Sequence, residues 1–166
     1  MIKSLFFVFL SMLYFYSSLD AGVAMGSLIP TTNDYVRIEH LSIGDEIIAC
    51  KTTDDIDDSC LTTTTIKNII IHVVHEAYVI NTATTTVYLT DGQRCYDPKV
   101  RTWVRASELS HRNTLIDNDF NWCRCLEIEL IKTEIAFYDL ELEDVHTFFV
   151  SNGGSQNQIL VHDFYK

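Results

Sequence analysis

The stretch FYDLELE at residues 137–143 alternates strictly, with Tyr138, Leu140 and Leu142 set against Asp139, Glu141 and Glu143. A side-chain period of two is that of a β-strand with one face on a core and the other in water. The pattern recurs in CLEIEL at 125–130, where Leu126, Ile128 and Leu130 oppose Glu127 and Glu129. Further β-rich runs lie at 43–49, 66–74, 78–89, 103–106, 147–150 and 159–161, separated by Asp-Gly, Asp-Pro, Asn-Asp and Asn-Gly-Gly turn signals. No long segment carries a helical period, and two short stretches, 36–41 and 105–109, fit single helical turns. The expectation is an all-β domain of many short strands, with no internal linker and no repeat of fixed period.

The 166 residues suit one domain, which can bury about two thirds of its unfolded surface. Apolar residues make up 47% and Gly and Pro are sparse, so a packed core is expected. Twelve Lys and Arg against 23 Asp and Glu give a net charge of −11. That sign opposes phosphate neutralisation, and no basic stripe is present, so nucleic acid is not expected as a partner. HExxH, G-x-S-x-G and P-loop motifs are absent, and no cofactor is expected.

Lys3 followed by the apolar run 5–16 has the form of a signal peptide, and the run is shorter than the ~20 residues of a membrane-spanning helix. Small residues allow cleavage after Ala21 or Ala24. The chain is therefore read as a leader helix over 1–24 and a secreted domain over 25–166, with an uncleaved membrane anchor as the alternative. In an oxidising compartment the five cysteines, Cys50, Cys60, Cys95, Cys123 and Cys125, are an odd number, which leaves one for a free thiol or an intermolecular disulfide. Cys50 and Cys60 flank an acidic loop and make the easiest pair. A zinc site from Cys95, Cys123, Cys125 and a histidine lacks the usual ligand spacings and is not expected.

Threonine clusters at 62–65 and 84–86 are read as solvent-facing or edge strand positions, with O-glycosylation as the alternative. Two patches carry polar residues suited to chemistry. In LEDVHTFFV, Asp144 and His146 stand at i and i+2 and can share a face; the other patch is Val161-His162-Asp163. Each histidine by itself also suits an ordinary structural role. His40, His72, His75 and His111 lack even this context.

Taken in order, four segments resemble the Hint family, the self-processing module of inteins, Hedgehog C-terminal domains and toxin-associated bacterial autoproteases. GSLIPTTNDYVRIEHLSIGDEI (26–47) resembles the opening motif, and VYLTDGQRCYDPKVRTWVRASEL (87–109) the second, in which Thr-x-x-His precedes a strand. FYDLELEDVHTFFV (137–150) and ILVHD (159–163) resemble the two closing motifs. The resemblance implies a horseshoe of mostly antiparallel strands with pseudo-twofold character, in which the two ends of the domain meet at one pocket.

It also implies a chemistry. A Cys or Ser at the first position attacks the preceding peptide bond, the Thr-x-x-His loop holds that amide and protonates its nitrogen, and a terminal Asn beside a His cyclises to release the downstream segment. Here the nucleophile position falls on Gly22, or on Ala21 if the spacing differs by one, and no Cys, Ser or Thr lies between Leu19 and Gly26. Thr90 matches the second motif, but its histidine is replaced by Gln93, which cannot exchange a proton near neutral pH. Asp144 and His146 match the third motif and His162 the penultimate histidine, while Asp163 replaces the cyclising Asn. The expected function is a secreted Hint-like domain without self-processing activity, acting as a binding or structural module toward a protein partner. The alternatives are residual cleavage at His162-Asp163, a displaced nucleophile such as Ser27, and an unrelated secreted β-domain.

Overall fold

The computed structural model describes residues 21–51, 56–154 and 156–163, so the expected leader helix and the residues after Asp163 lie outside the described residues. The strands in chain order are β1 (Val23–Ala24), β2 (Leu28–Pro30), β3 (Tyr35–Arg37), β4 (Glu46–Cys50), β5 (Leu61–Val73), β6 (Glu76–Thr82) and β7 (Thr86–Leu89). They continue with β8 (Arg94–Asp97), β9 (Thr102–Arg105), β10 (Thr114–Ile116), β11 (Trp122–Lys132), β12 (Ala136–Leu142), β13 (Thr147–Val150) and β14 (Ile159–His162). Single 3-10 turns stand at Ile38–His40, Asp58–Cys60 and Ala106–Glu108, two of them inside the stretches expected to form helical turns. The run 78–89 is two strands. The Thr82 hydroxyl accepts the Thr84 and Thr85 N–H groups and donates to the Thr85 carbonyl, which closes the turn between β6 and β7.

Every strand pairing is antiparallel, and the largest sheet runs β10-β11-β6-β7-β1-β12-β5-β4. The short β1 lies at its centre, with Val23 opposite both Leu89 of β7 and Tyr138 of β12. Val23 and Ala24 are buried, so the folded unit includes them and does not begin at residue 25. Although β5 runs into β6 and β11 into β12, the long strands exchange partners: β5 pairs with β12, and β6 with β11. The main core lies beneath this sheet and includes Ile29, Ile38, Ile47, Ile80, Leu140 and Phe148.

An internal repeat sits under this exchange. Val36-Arg37-x-x-x-Leu41-Ser42 in the first half matches Val104-Arg105-x-x-x-Leu109-Ser110 in the second. Each segment makes one 3-10 turn capped by its arginine and leucine, buries its first turn residue (Ile38, Ala106), and seats its leucine in the core. Ser42 N–H then donates to Asp45 Oδ2 at 2.8 Å and Ser110 N–H to Asn113 Oδ1 at 2.8 Å. Ile38 N–H reaches the Ser27 carbonyl and Ala106 N–H the Gln93 carbonyl, both at 2.8 Å, so Ser27 and Gln93 are equivalent positions. This is the pseudo-twofold character that the resemblance implies; each unit occurs only twice, so it is not a repeat of fixed period.

Two expectations about strand faces also change. The register of β11 shifts between Cys125 and Glu127. A slip of one residue exchanges the faces of a strand. Cys125 stands opposite Thr82, Ile128 opposite Ile80 and Leu130 opposite Tyr78, so the slip sets Ile128 and Leu130 on the face of the buried Cys123 and Cys125, while Leu126, the extra residue, and Leu130 are about half exposed (54% and 51%). On β12 the alternation predicts a wet Asp139, yet this residue is buried. Thr64 and Thr85, from the two threonine clusters, are buried as well, against the expectation of solvent-facing or edge positions.

A second, smaller core gathers Cys50, Cys60, Tyr96, Ile116, Phe149 and Leu160. Within it Cys50 and Cys60 form a disulfide, the pairing that their positions around the acidic loop suggest. Cys95, Cys123 and Cys125 are free thiols, and all three are buried.

Candidate functional site

The two ends of the domain meet at the turn 90–93. Thr90 N–H donates to the Gly22 carbonyl at 3.0 Å, and its hydroxyl lies 3.5 Å from the same oxygen. The Gly22 carbonyl is thus held by the residue that the second motif places there. The antiparallel register of β1 with β12, carried one residue further, sets Gly22 opposite the buried Asp139. A Cβ built on Gly22 would lie 3.3 Å from His72 Cε1, 3.4 Å from Phe137 Cβ and 3.4 Å from the Tyr138 carbonyl. That space accepts a small side chain once the imidazole yields slightly.

Gln93 closes the turn, with its N–H on the Thr90 carbonyl at 3.2 Å. Its side-chain amide donates to the His162 carbonyl at 2.6 Å, and so ties the turn to the end of β14. A neutral amide in this position holds the strand but moves no proton.

On the C-terminal side, β14 pairs with β13 so that His162 faces Thr147. Asp163 N–H donates to the His146 carbonyl at 2.8 Å, which turns its side chain inward. Asp163 Oδ2 accepts Leu142 N–H at 3.1 Å and lies 3.1 Å from His146 Nδ1. Asp163 Oδ1 is buried without a hydrogen bond and lies 3.5 Å from His162 Nδ1. His162 Nδ1 is 2.9 Å from the Asp163 carbonyl oxygen. A carbonyl only accepts, so Nδ1 of His162 carries the proton. The His162 ring is held edge-on against Trp103 (centroids 4.9 Å apart) and stacks with His146 at 6.3 Å. The Asp163 side chain is fully buried, whereas those of His162 and His146 are 21% and 41% exposed.

The structure thus brings Gly22, Thr90, Gln93, His146, His162 and Asp163 to one region. It does not bring Asp144 into contact with Asp163: Asp144 is exposed in the turn after β12, where its N–H donates to the Thr64 hydroxyl at 3.4 Å. Ser27 is also elsewhere, fully buried, donating to the Ala24 carbonyl at 2.6 Å and paired with Asn152. Sequence reasoning missed Asp139 and His72. The Tyr-Asp-Leu start of the third motif was the available signal for Asp139, and nothing in the spacing marks His72.

Many short antiparallel strands, exchanged long arms and two chain ends meeting at a Thr-x-x-Gln turn define a Hint domain, the fold of self-processing modules. The chain belongs to the pretoxin HINT domain family, which matches residues 28–164. Its fold is similar to that of a bacterial intein-like domain from Clostridium thermocellum, at 24% identity and a TM-score of 0.74 over 88% of this chain and 100% of that one. It is also similar to a DnaB intein from Synechocystis sp., at 21% identity and a TM-score of 0.68 over 87% and 99% of the two chains. The gp41-1 intein matches with 14% identity and a TM-score of 0.69 over 87% and 99%. No curated protein matches this sequence.

Proposed function

We propose that this chain is a secreted HINT domain that does not carry out the N-terminal acyl shift and serves as a binding or structural module for a protein partner. One observation carries this reading: the position pinned by Thr90 is a glycine, so no side-chain atom is available to attack the preceding carbonyl. The commitment of Gln93 to the His162 carbonyl supports it, because the proton donor of the motif has become a structural tie. The apolar run 5–16 and the Cys50–Cys60 disulfide support secretion. Incubation with hydroxylamine, which intercepts thioesters and esters, tests the reading. In a chain that still carries residues 1–21, the expected result is no release of the residues before Gly22, and their release would overturn it.

A second reading is favoured by the geometry of Asp163. Its Oδ1 is buried without a hydrogen bond while His162 Nδ1–H polarises the Asp163 main-chain carbonyl. In that reading the carboxylate attacks this carbonyl carbon, the C–N bond to Phe164 breaks as its nitrogen takes a proton from His162, and water opens the resulting cyclic anhydride. Loss of Phe164–Lys166 from the wild type but not from Asp163→Ala is the outcome that would establish it.

A further inference from the structure

The replacement of the motif histidine by Gln93 removes the imidazole that the motif uses for proton exchange in the N-terminal half of the site. We infer that His72 is placed to serve a nucleophile at position 22 as its proton-transfer group, in the role that the motif assigns to position 93. This rests on reading Gly22 as the nucleophile position.

The argument is one of placement. His72 on β5 is opposite Phe137 on β12, and Phe137 is opposite Ala24 on β1. Directly opposed residues in a sheet share a face, and so do residues two apart on one strand. His72, Ala24 and Gly22 therefore project from the same face, and Asp139, two residues from Phe137, projects with them. The contact is close, since His72 Cε1 lies 3.3 Å from the Cβ that any L-residue at 22 would carry. Nε2, bonded to that carbon, is buried and has no hydrogen-bond partner among the described residues. A buried polar nitrogen left unpaired is destabilising, and such exceptions in native structures call for an explanation. A side chain or backbone group at the 21–22 junction is the partner this geometry admits. On the far side Thr90 N–H already fixes the Gly22 carbonyl.

With a cysteine at 22 the step is complete. The thiol sulfur bonds to the Ala21 carbonyl carbon as its proton passes to His72 Nε2. The Ala21–22 C–N bond then breaks, and His72 returns that proton to the leaving nitrogen of residue 22. The product is a thioester between Ala21 and the cysteine sulfur. In the native chain Gly22 supplies no attacking atom, and His72 has nothing to act on.

The test uses the full chain carrying Gly22→Cys, incubated at neutral pH with hydroxylamine, which displaces the thioester and frees residues 1–21 for intact-mass detection. Release is expected from Gly22→Cys, and adding His72→Gln should slow it at least ~10²-fold, the lower end of a general acid–base contribution. His75→Gln, a change at an exposed histidine, should leave the rate unaltered. Equal rates with and without His72→Gln would overturn the inference. So would silence in Gly22→Cys alone with release in Gly22→Cys/Gln93→His, which leaves the reading of position 22 intact. Silence in both, in protein that retains the Cys50–Cys60 bridge, would instead refute the reading of position 22. If the cysteine variants fail to fold, Gly22→Ser forms an ester by the same steps and is scored by the same comparisons.

Discussion

The side-chain amide of Gln93 donates to the main-chain carbonyl of His162 at 2.6 Å, joining residues 69 apart in the chain. Both lie in segments that resemble processing motifs, and the bond between them is architectural. Gln93 is 1% exposed, so its truncation removes both a buried side chain and the donor to the His162 carbonyl. Gln93→Ala is expected to lower stability by about 1–3 kcal/mol, read from the urea midpoint at constant m-value. A loss below about 0.5 kcal/mol would mean that the tie contributes little.

The internal repeat makes a paired prediction. Leu41 and Leu109 are 8% and 7% exposed, follow equivalent 3-10 turns and enter the same core. Leu41→Ala and Leu109→Ala should each cost about 2–5 kcal/mol, the range for truncating a buried leucine. Calorimetry finding one change severe and the other neutral would break the equivalence of the two halves.

The free cysteines should resist modification in the folded protein. Burial pushes the Cys125 thiol up to about 12, with Asp97 and Cys123 adding to it. Burial likewise raises Cys95, helped by Cys125, and raises Cys123 against the opposing hydrogen bond from Thr84. The thiolate is the reactive form, so native alkylation at pH 8 should be slow at all three and complete only in denaturant. Folded pKa values above the unfolded value of 9.0 mean that the unfolded chain loses these protons first. Their contribution is therefore intact below pH 9 and declines above it, toward about 12 for Cys125. Cys125→Ala should flatten that alkaline decline, and an unchanged slope would count against the assignment.

Much of this architecture is legible in the sequence, and the failures have physical causes. The strand period, the turn dipeptides, the Cys50–Cys60 bridge and the two helical turns are local features, and each is found where local chemistry places it. The bulge after Cys125 is not local: it arises from pairing with β6, and it leaves Leu126, which the pattern assigns to the core, as the extra residue and about half exposed. Asp139 reads as solvent-facing because alternation reports one strand and cannot report the neighbours that cover it. Within the site, Thr90, His146 and His162 were legible through motif order. His72 enters through the alignment of three strands, β5, β12 and β1, and this information exists only once the sheet has formed.

The buried position of Val23 bears on where a leader would be removed. Cleavage after Ala24 would delete β1 from the centre of the main sheet, whereas cleavage after Ala21 leaves it whole. Edman sequencing of secreted protein should begin Gly22-Val23-Ala24. A start at Met25 would contradict this.

The claim at the centre of the account is that this HINT domain folds without processing itself, and intact-mass spectrometry of the purified wild-type chain tests it most directly. After prolonged incubation at neutral pH, the account predicts a single species that still ends at Lys166. Accumulation of a species ending at Asp163, absent from Asp163→Ala, would contradict it and show that the His162–Asp163 end of the site is active.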